Sequence, residues 1–378
     1  MRRLNIALPL AALLAVPVLA AWLPREVVTQ GPVSADECST LRWSCTQDLQ
    51  CLAYQHYLEG EDPSYVEQLP RIQSAETRYF RDWIQAVDAG GVVRMRRLVD
   101  RADIKAQFRM DDPRQEPVTL ELRSPLAGPQ VSVQFERIGA GPEFGQHFDR
   151  NAASEESLAG LRADWSLTLA GGEHADGEEF EVSLAAWKSL VSPGGTFDYQ
   201  PVERAMPGLE RLLQSGTGGE LQDLWSGPQL KGKATGVWRR DGEGRRRLEV
   251  NLQLENSVDR LALARAYRTA PERAAGLQVE RAEVSWGFTG QASLLLRPET
   301  NQVERWKVEG QQTITAHLVS RLPDQPQGHE ISEFRGLLVL EGLRSKTVQP
   351  DKAPAWDVPP MPGAEVQGGP AEDGEQGR

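Results

Sequence analysis

The sequence predicts an α+β protein, mainly antiparallel β-sheet, built as one large curved sheet or a sandwich with a few helices packed on one side. Three observations predict it. From Val92 onward apolar and polar residues alternate with a period of two, as in Val118, Leu120 and Leu122 or Val131, Val133 and Phe135, which describes half-solvated antiparallel strands. Nothing alternates regularly as strand, helix and strand, so a doubly wound α/β fold is disfavoured. One hairpin also occurs twice: Gly232 to Leu254 is echoed by Gly290 to Gly310, with Gly232 matching Gly290, Ala234 matching Ala292, Arg239 matching Arg297 and Val250 matching Val308.

In chain order, Arg2 and Arg3 precede an apolar run from Leu4 to Ala21 that ends in Val18-Leu19-Ala20. A basic start, an apolar stretch and small residues at its end describe an export signal spanning 1–20, with cleavage after Ala20. A retained membrane anchor is the rival, and membrane contact is then expected only through the uncleaved signal. Residues 21–90 read as mostly helical. A helix over 46–58 places Leu49, Leu52, Ala53, His56 and Tyr57 on one face. A second starts at Ser74, with Tyr79, Phe80, Trp83, Ile84 and Val87 at helical spacing before Gly90-Gly91.

The β-rich part spans 91–349 and divides into sheets over 91–200 and 220–349. Hairpins turn at Ser124 to Pro129 and at Asp176-Gly177, and Pro193-Gly194-Gly195 closes the first half. A short helix is predicted over 202–214. The repeated hairpins are separated by a helix over 258–275, kinked or split at Pro271. Strands resume from Ala282 to Phe288, continue through Ile314, Ala316 and Leu318, and end with Leu337 to Leu340. Residues 350–378 are Pro, Gly and acid with little to bury, the composition of a disordered tail.

The chain has 378 residues, and 54 Asp and Glu against 42 Lys and Arg give a net charge of -12. Nucleic acid is therefore excluded as an expected partner, because its affinity rests on excess positive charge. A local exception is the basic knot Arg239, Arg240, Arg245, Arg246 and Arg247, read as a solvated hairpin tip rather than an anion-binding loop. Cys38, Cys45 and Cys51 are the only cysteines and fall in one window. In an exported chain that grouping suggests one local disulfide and a leftover thiol, with the pairing open.

Motifs for chemistry are missing. There is no Gly-x-Ser-x-Gly elbow, His-Glu-x-x-His helix, Ser-x-x-Lys, Walker loop or Gly-x-Gly-x-x-Gly. The histidines, His56, His147, His174, His317 and His329, have no partner at a recognisable spacing, and His317 is expected on the polar side of a strand. Glu173, His174, Asp176, Glu178 and Glu179 crowd one turn, but without the spacing of a calcium loop. The reading is no catalytic residue, no metal and no cofactor. Trp165, Trp225, Trp238, Trp286 and Trp306 lie on or near alternating runs, where core or cross-strand packing is the ordinary role.

Over the last third of the chain, the glycine-led strand, turn and returning strand of Gly232 to Leu254 and Gly290 to Gly310, with Ala282 to Phe288 incoming, resemble exported bacterial β-rich proteins that carry no known activity. A looser likeness is to periplasmic carriers of lipids and lipoproteins, whose curved sheet cups helices around an apolar cavity. The first resemblance implies a non-catalytic envelope protein, periplasmic or extracellular, that binds or assembles through its sheet with an unknown protein partner. The second implies an apolar ligand held between sheet and helix, with Trp286, Phe288, Leu294 and Leu296 as cavity candidates. A hydrolase of unrecognised type is the third reading.

Overall fold

The computed structural model describes residues 26–27 and most of 35–347, apart from short stretches of which 149–157, 165–172 and 203–222 are among the longest. The predicted export signal, the tail and nearly all of the predicted helix over 202–214 lie outside the described residues.

The described strands, in chain order, are β1 (Glu26–Val27), β2 (Cys38–Leu58), β3 (Ser64–Tyr65), β4 (Pro70–Asp88), β5 (Gly91–Met110), β6 (Val118–Arg123), β7 (Ser132–Arg137), β8 (Phe144–Phe148), β9 (Glu173–His174) and β10 (Glu179–Glu181). After helix α1 (Trp187–Val191) come β11 (Gln200–Pro201), β12 (Lys231–Arg240) and β13 (Arg246–Asp259). Helices α2 (Leu261–Ala266) and α3 (Ala270–Ala274) lead to β14 (Gln278–Leu296), β15 (Val303–Arg321) and β16 (Gly328–Thr347).

This is an all-β architecture, which corrects the α+β expectation. A single sheet of 14 strands runs β10-β12-β13-β14-β15-β16-β2-β4-β5-β6-β11, with β3, β7 and β8 as side branches. Two antiparallel meanders, β2 to β6 and β12 to β16, meet at a seam where the first long strand pairs with the last along Cys38↔Thr347 to Leu58↔Gly328. Among the described strands, the two ends of the main path come from the middle of the chain. There β10 pairs with β12 and β11 pairs with β6, so the segment from Glu179 to Pro201 crosses from one edge to the other.

The predicted N-terminal helices are strands for an identifiable reason. In β4 the even positions Ile72, Ser74, Glu76, Arg78 and Phe80 face one way, opposite Leu49, Gln47, Cys45, Trp43 and Leu41 of β2. The odd positions Ala75, Thr77 and Tyr79 face the other way and are buried as well. Apolar residues from both faces, Tyr79 then Phe80 and Trp83 then Ile84, therefore add up to a helix-like spacing. Ser74 caps nothing; it pairs across the sheet with Gln47. The helix expected over 258–275 is present only as the short α2 and α3, with Pro271 inside α3, in the connection between the paired strands β13 and β14.

The repeated hairpins are real but are not structural copies. Val250 lies opposite Gly236, whereas Val308 lies opposite Ala292 rather than opposite Leu294, where the echo would place it. Strands of this length stay in one curved sheet with the help of bulges, as at Tyr79/Phe80, Leu295/Leu296 and Glu333/Phe334.

The two faces differ sharply. Along β13, Leu248, Val250, Leu252 and Leu254 are buried on the inner face, each contributing about 2 kcal/mol by leaving water. The alternate Asn251, Gln253 and Glu255 are exposed. β15 repeats the pattern, with Trp306, Val308 and Ile314 inside and Arg305, Lys307, Glu309 and Gln311 outside. One inner row runs Leu294, Trp306, Gly342, Trp43, Arg78 and Ala102 directly across six strands.

Gly342 is obligatory in that row, since a Cβ there would fall 2.1 Å from the Trp306 ring. The substitution Gly342→Val should cost about 3 kcal/mol through overpacking and alter the near-ultraviolet tryptophan signal. Urea unfolding together with near-ultraviolet circular dichroism checks this.

Candidate functional site

The inner face is occupied by the protein's own chain. The indoles of Trp43 and Trp306 both donate to the carbonyl of Leu190 in α1, at 3.1 and 3.0 Å. Beside them the guanidinium of Arg78 donates to Ser192 Oγ and to the carbonyls of Pro193 and Gly195, at 3.0, 2.8 and 2.7 Å. Arg78 is fully buried and pairs with Glu76 at 2.6 Å. Burial pulls its pKa down, but Glu76 and Tyr199 more than offset this and raise it. Tyr199 in turn donates to Glu76 Oε1 at 2.5 Å, and burial followed by the Glu76 charge pushes its phenol well up.

A second buried arginine repeats the device. Arg97 makes a two-point contact with Asp82 at 2.7 and 2.9 Å and donates to the carbonyls of Arg162 and Ala163 at 2.8 and 3.0 Å. Phe80 and Phe135 lie against its guanidinium. The neighbouring loop, which Arg78 holds, is turned by Gly194 and Gly195, both at positive φ; a Cβ on Gly195 would fall 2.1 Å from the carbonyl oxygen of Gly160. Only glycine fits there. Pro193-Gly194-Gly195, legible in the sequence as a turn, is thus the hub at which sheet and insert are locked.

The four cavity candidates converge on this inner face as packed core. Trp286, Phe288, Leu294 and Leu296 are at most 2% exposed. Trp225 covers the first two, with ring centroids at 5.1 and 4.9 Å. An apolar ligand at that place would have to displace Trp225. The buried Trp238 and Trp306 also pack in the core, as their alternating context predicted.

The three cysteines correct the disulfide expectation. None is in a disulfide, and all three are buried on the one strand β2. At roughly 3.3 Å per strand residue, Cys45 stands about 20 Å from both Cys38 and Cys51, far beyond disulfide reach. Burial, then the charge of Glu76, pushes the Cys45 thiol well up, so it is the protonated, unreactive form.

Among the described residues, no group of three His, Cys, Asp or Glu is placed to hold a metal ion. In the acidic turn, Glu178 accepts from the Ala175 amide at 2.8 Å, and His174 stacks on Phe180. His317 lies on the polar face with its Nε2 3.3 Å from His329 Nδ1. Burial, then Arg281 and His329, lowers its pKa and favours the neutral ring.

The outer face carries what the sequence reading passed over. Directly behind the inner row, Arg247, Leu295, Arg305, Leu343 and Arg42 stand opposite one another on β13, β14, β15, β16 and β2. The β12–β13 tip brings Asp241 and Arg245 alongside, and together they line a groove of about 520 Å³. The basic knot is therefore split: Arg245 and Arg247 join the groove, where Arg305 and Arg42, distant in sequence, complete it. Cross-strand register is the missing signal, and a single sequence does not display it.

No family model matches the chain, and no curated protein matches it in sequence. Among solved structures, similarity is found to the outer membrane protein OprG from Pseudomonas aeruginosa, with TM-score 0.26 and 4% identity, covering 85% of this chain and 100% of that one. An outer membrane channel from Pseudomonas putida gives TM-score 0.21 and 8% identity over 85% of this chain and 100% of that one. The secretin domain β-barrel of InvG from Salmonella gives TM-score 0.17 and 8% identity over 92% of this chain and 70% of that one. At these TM-scores the likeness does not extend to a shared fold and carries nothing about this chain's role.

Two outcomes follow from the inner geometry. Arg97→Met strands the Asp82 carboxylate and should lower unfolding stability by about 3–5 kcal/mol, most of it restored by adding Asp82→Leu, as read by guanidinium unfolding. Native protein should resist iodoacetamide at all three thiols, whereas unfolded protein should gain three labels without prior reduction, as read by intact mass.

Proposed function

We propose that the protein is an exported, non-catalytic envelope protein that binds its partner through the polar outer face of its sheet. The observation that carries the proposal is the occupied inner face: α1 and the loop after it fill the place where a carrier would hold an apolar ligand. Binding is thereby left to the outer face, where the groove over Arg305 lies.

The facing pattern also speaks against membrane insertion of the folded sheet. A membrane-spanning barrel turns apolar side chains outward to lipid, and a charge there costs about 2–4 kcal/mol at mid-bilayer. Here the outward residues of β13 and β15 include Arg305, Lys307, Glu309, Asn251, Gln253 and Glu255, while Leu248, Val250, Leu252, Leu254, Trp306 and Val308 point inward. The basic and apolar run before Ala21 supports export, and the lack of catalytic motifs supports a binding role.

Expression with its own N-terminus in a bacterial host that has a periplasm tests the proposal. Osmotic shock should release, without detergent, a protein that begins at Ala21. A chain that stays in the cytoplasm, or in membranes through a carbonate wash, would contradict it.

A further inference from the structure

We propose that the outer-face groove is a binding site for a phosphate-bearing ligand of about diphosphate size, its phosphates held by Arg247, Arg305 and Arg42 and any apolar part resting on Leu295 and Leu343. This deepens, and rests on, the outer-face binding reading.

The first support is the register. Arg247 and Arg305 are each opposite Leu295, while Arg305 and Arg42 are each opposite Leu343. With neighbouring strands about 4.8 Å apart, three guanidiniums recur across the sheet at roughly 10 Å intervals, separated by two leucines. Side chains as long as arginine converge easily over that spacing. The planar, two-point geometry of guanidinium suits phosphate oxygens better than a lysine row would.

The second support is the charge. In a chain of net charge -12, the groove is lined by five cationic side chains, the three arginines with Arg245 and Lys307, against two carboxylates, Asp241 and Glu341. Asp241 is already engaged, holding Arg245 at 2.8 Å, and this pair braces the hairpin tip as the groove's wall. Lys307 is paired with Glu309 at 2.5 Å. Glu341 faces Lys307 across the strands and is the one carboxylate a ligand phosphate would have to avoid.

The third support is how the row arginines are held. Arg247, which lines the groove, donates from Nε to Ser293 Oγ at 2.8 Å, which orients its guanidinium, with Glu249 only at 3.9 Å. Arg42 lies over the Tyr79 ring at 5.6 Å. Arg305, at the centre, makes no ion pair or hydrogen bond among the described residues. Exposed arginines on this sheet usually find a carboxylate, as Arg71 finds Asp48 and Arg281 finds Glu283. An unengaged central guanidinium, flanked by two oriented ones and floored by leucine, is the arrangement of an anion site. Its volume falls in the range of small-molecule pockets, about 300–1,000 Å³.

The test is calorimetric titration of the folded, full-length mature protein at low salt with pyrophosphate and, separately, with monomeric dihexanoyl phosphatidic acid. One-to-one binding is expected, weakened roughly tenfold in Arg305→Gln and unchanged in Arg335→Gln, an exposed arginine of β16 outside the groove. Saturation by pyrophosphate identifies a free phosphorylated ligand. Saturation by the phosphatidic acid alone identifies a lipid headgroup, with Leu295 and Leu343 taking its apolar part. Absence of binding by both, or equal weakening in Arg335→Gln, would overturn the site. Fractionation decides the envelope reading separately: an exported protein that binds neither probe loses only this ligand assignment, and a non-exported protein that binds one keeps it.

Discussion

The structure depends on two buried guanidiniums that tie a sheet to the chain lying inside it. Arg78 and Arg97 sit on adjacent central strands, each neutralised by a carboxylate of β4, with Arg78 donating to the carbonyls of Pro193 and Gly195 and Arg97 to those of Arg162 and Ala163. A sheet with free edges exposes unpaired backbone and a large apolar face. Here the segment from Glu179 to Pro201 pairs at the two ends of the main path through β10 and β11, and α1 lies against the apolar face between them. The carbonyls of Pro193 and Gly195, and those of Arg162 and Ala163, would carry a desolvation cost if buried without donors; Arg78 supplies donors to the first pair and Arg97 to the second. Ion pairs of this kind add little net stability compared with an apolar core. Their contribution is to fix one position for the chain at Arg162–Ala163 and at Ser192–Gly195.

That arrangement decides which face can act. Leu190 receives two indoles and Trp225 lies over Trp286 and Phe288, so the predicted cavity candidates are packed against the protein's own side chains. The outer face is polar, and its basic row stands directly behind the gripping row, so Arg42 and Arg305 flank Trp43 and Trp306 in sequence. Residues that lock the insert inside thereby fix the backbone that spaces the arginines outside. The groove is built on the most constrained strands of the molecule, which suits a site whose geometry must be held.

Much of the β half was legible. The period of two after Val92 and the glycine-led hairpins are present, and Pro193-Gly194-Gly195 is a turn. The N-terminal strands were not legible, because β4 is buried on both faces and its apolar residues from the two sides mimic helical spacing. The cysteines misled for a related reason: seven and six residues apart they suit a loop and a helix, but on an extended strand they cannot meet. Of the groove, only the hairpin-tip arginines were visible as a cluster. Arg42 and Arg305 are separated by most of the chain and become neighbours only through the seam between β16 and β2, a pairing of first strand with last that no local pattern encodes.

The central claim, that the insert is core rather than surface loop, is tested most directly by hydrogen exchange on the native protein, resolved by mass spectrometry. Peptides covering 189–199 should exchange as slowly as those from β4 and β5, and should lose protection together with them as denaturant is raised. Exchange of 189–199 within seconds while β4 and β5 stay protected would contradict the account, since it would mean that the sheet stands without the segment Arg78 holds.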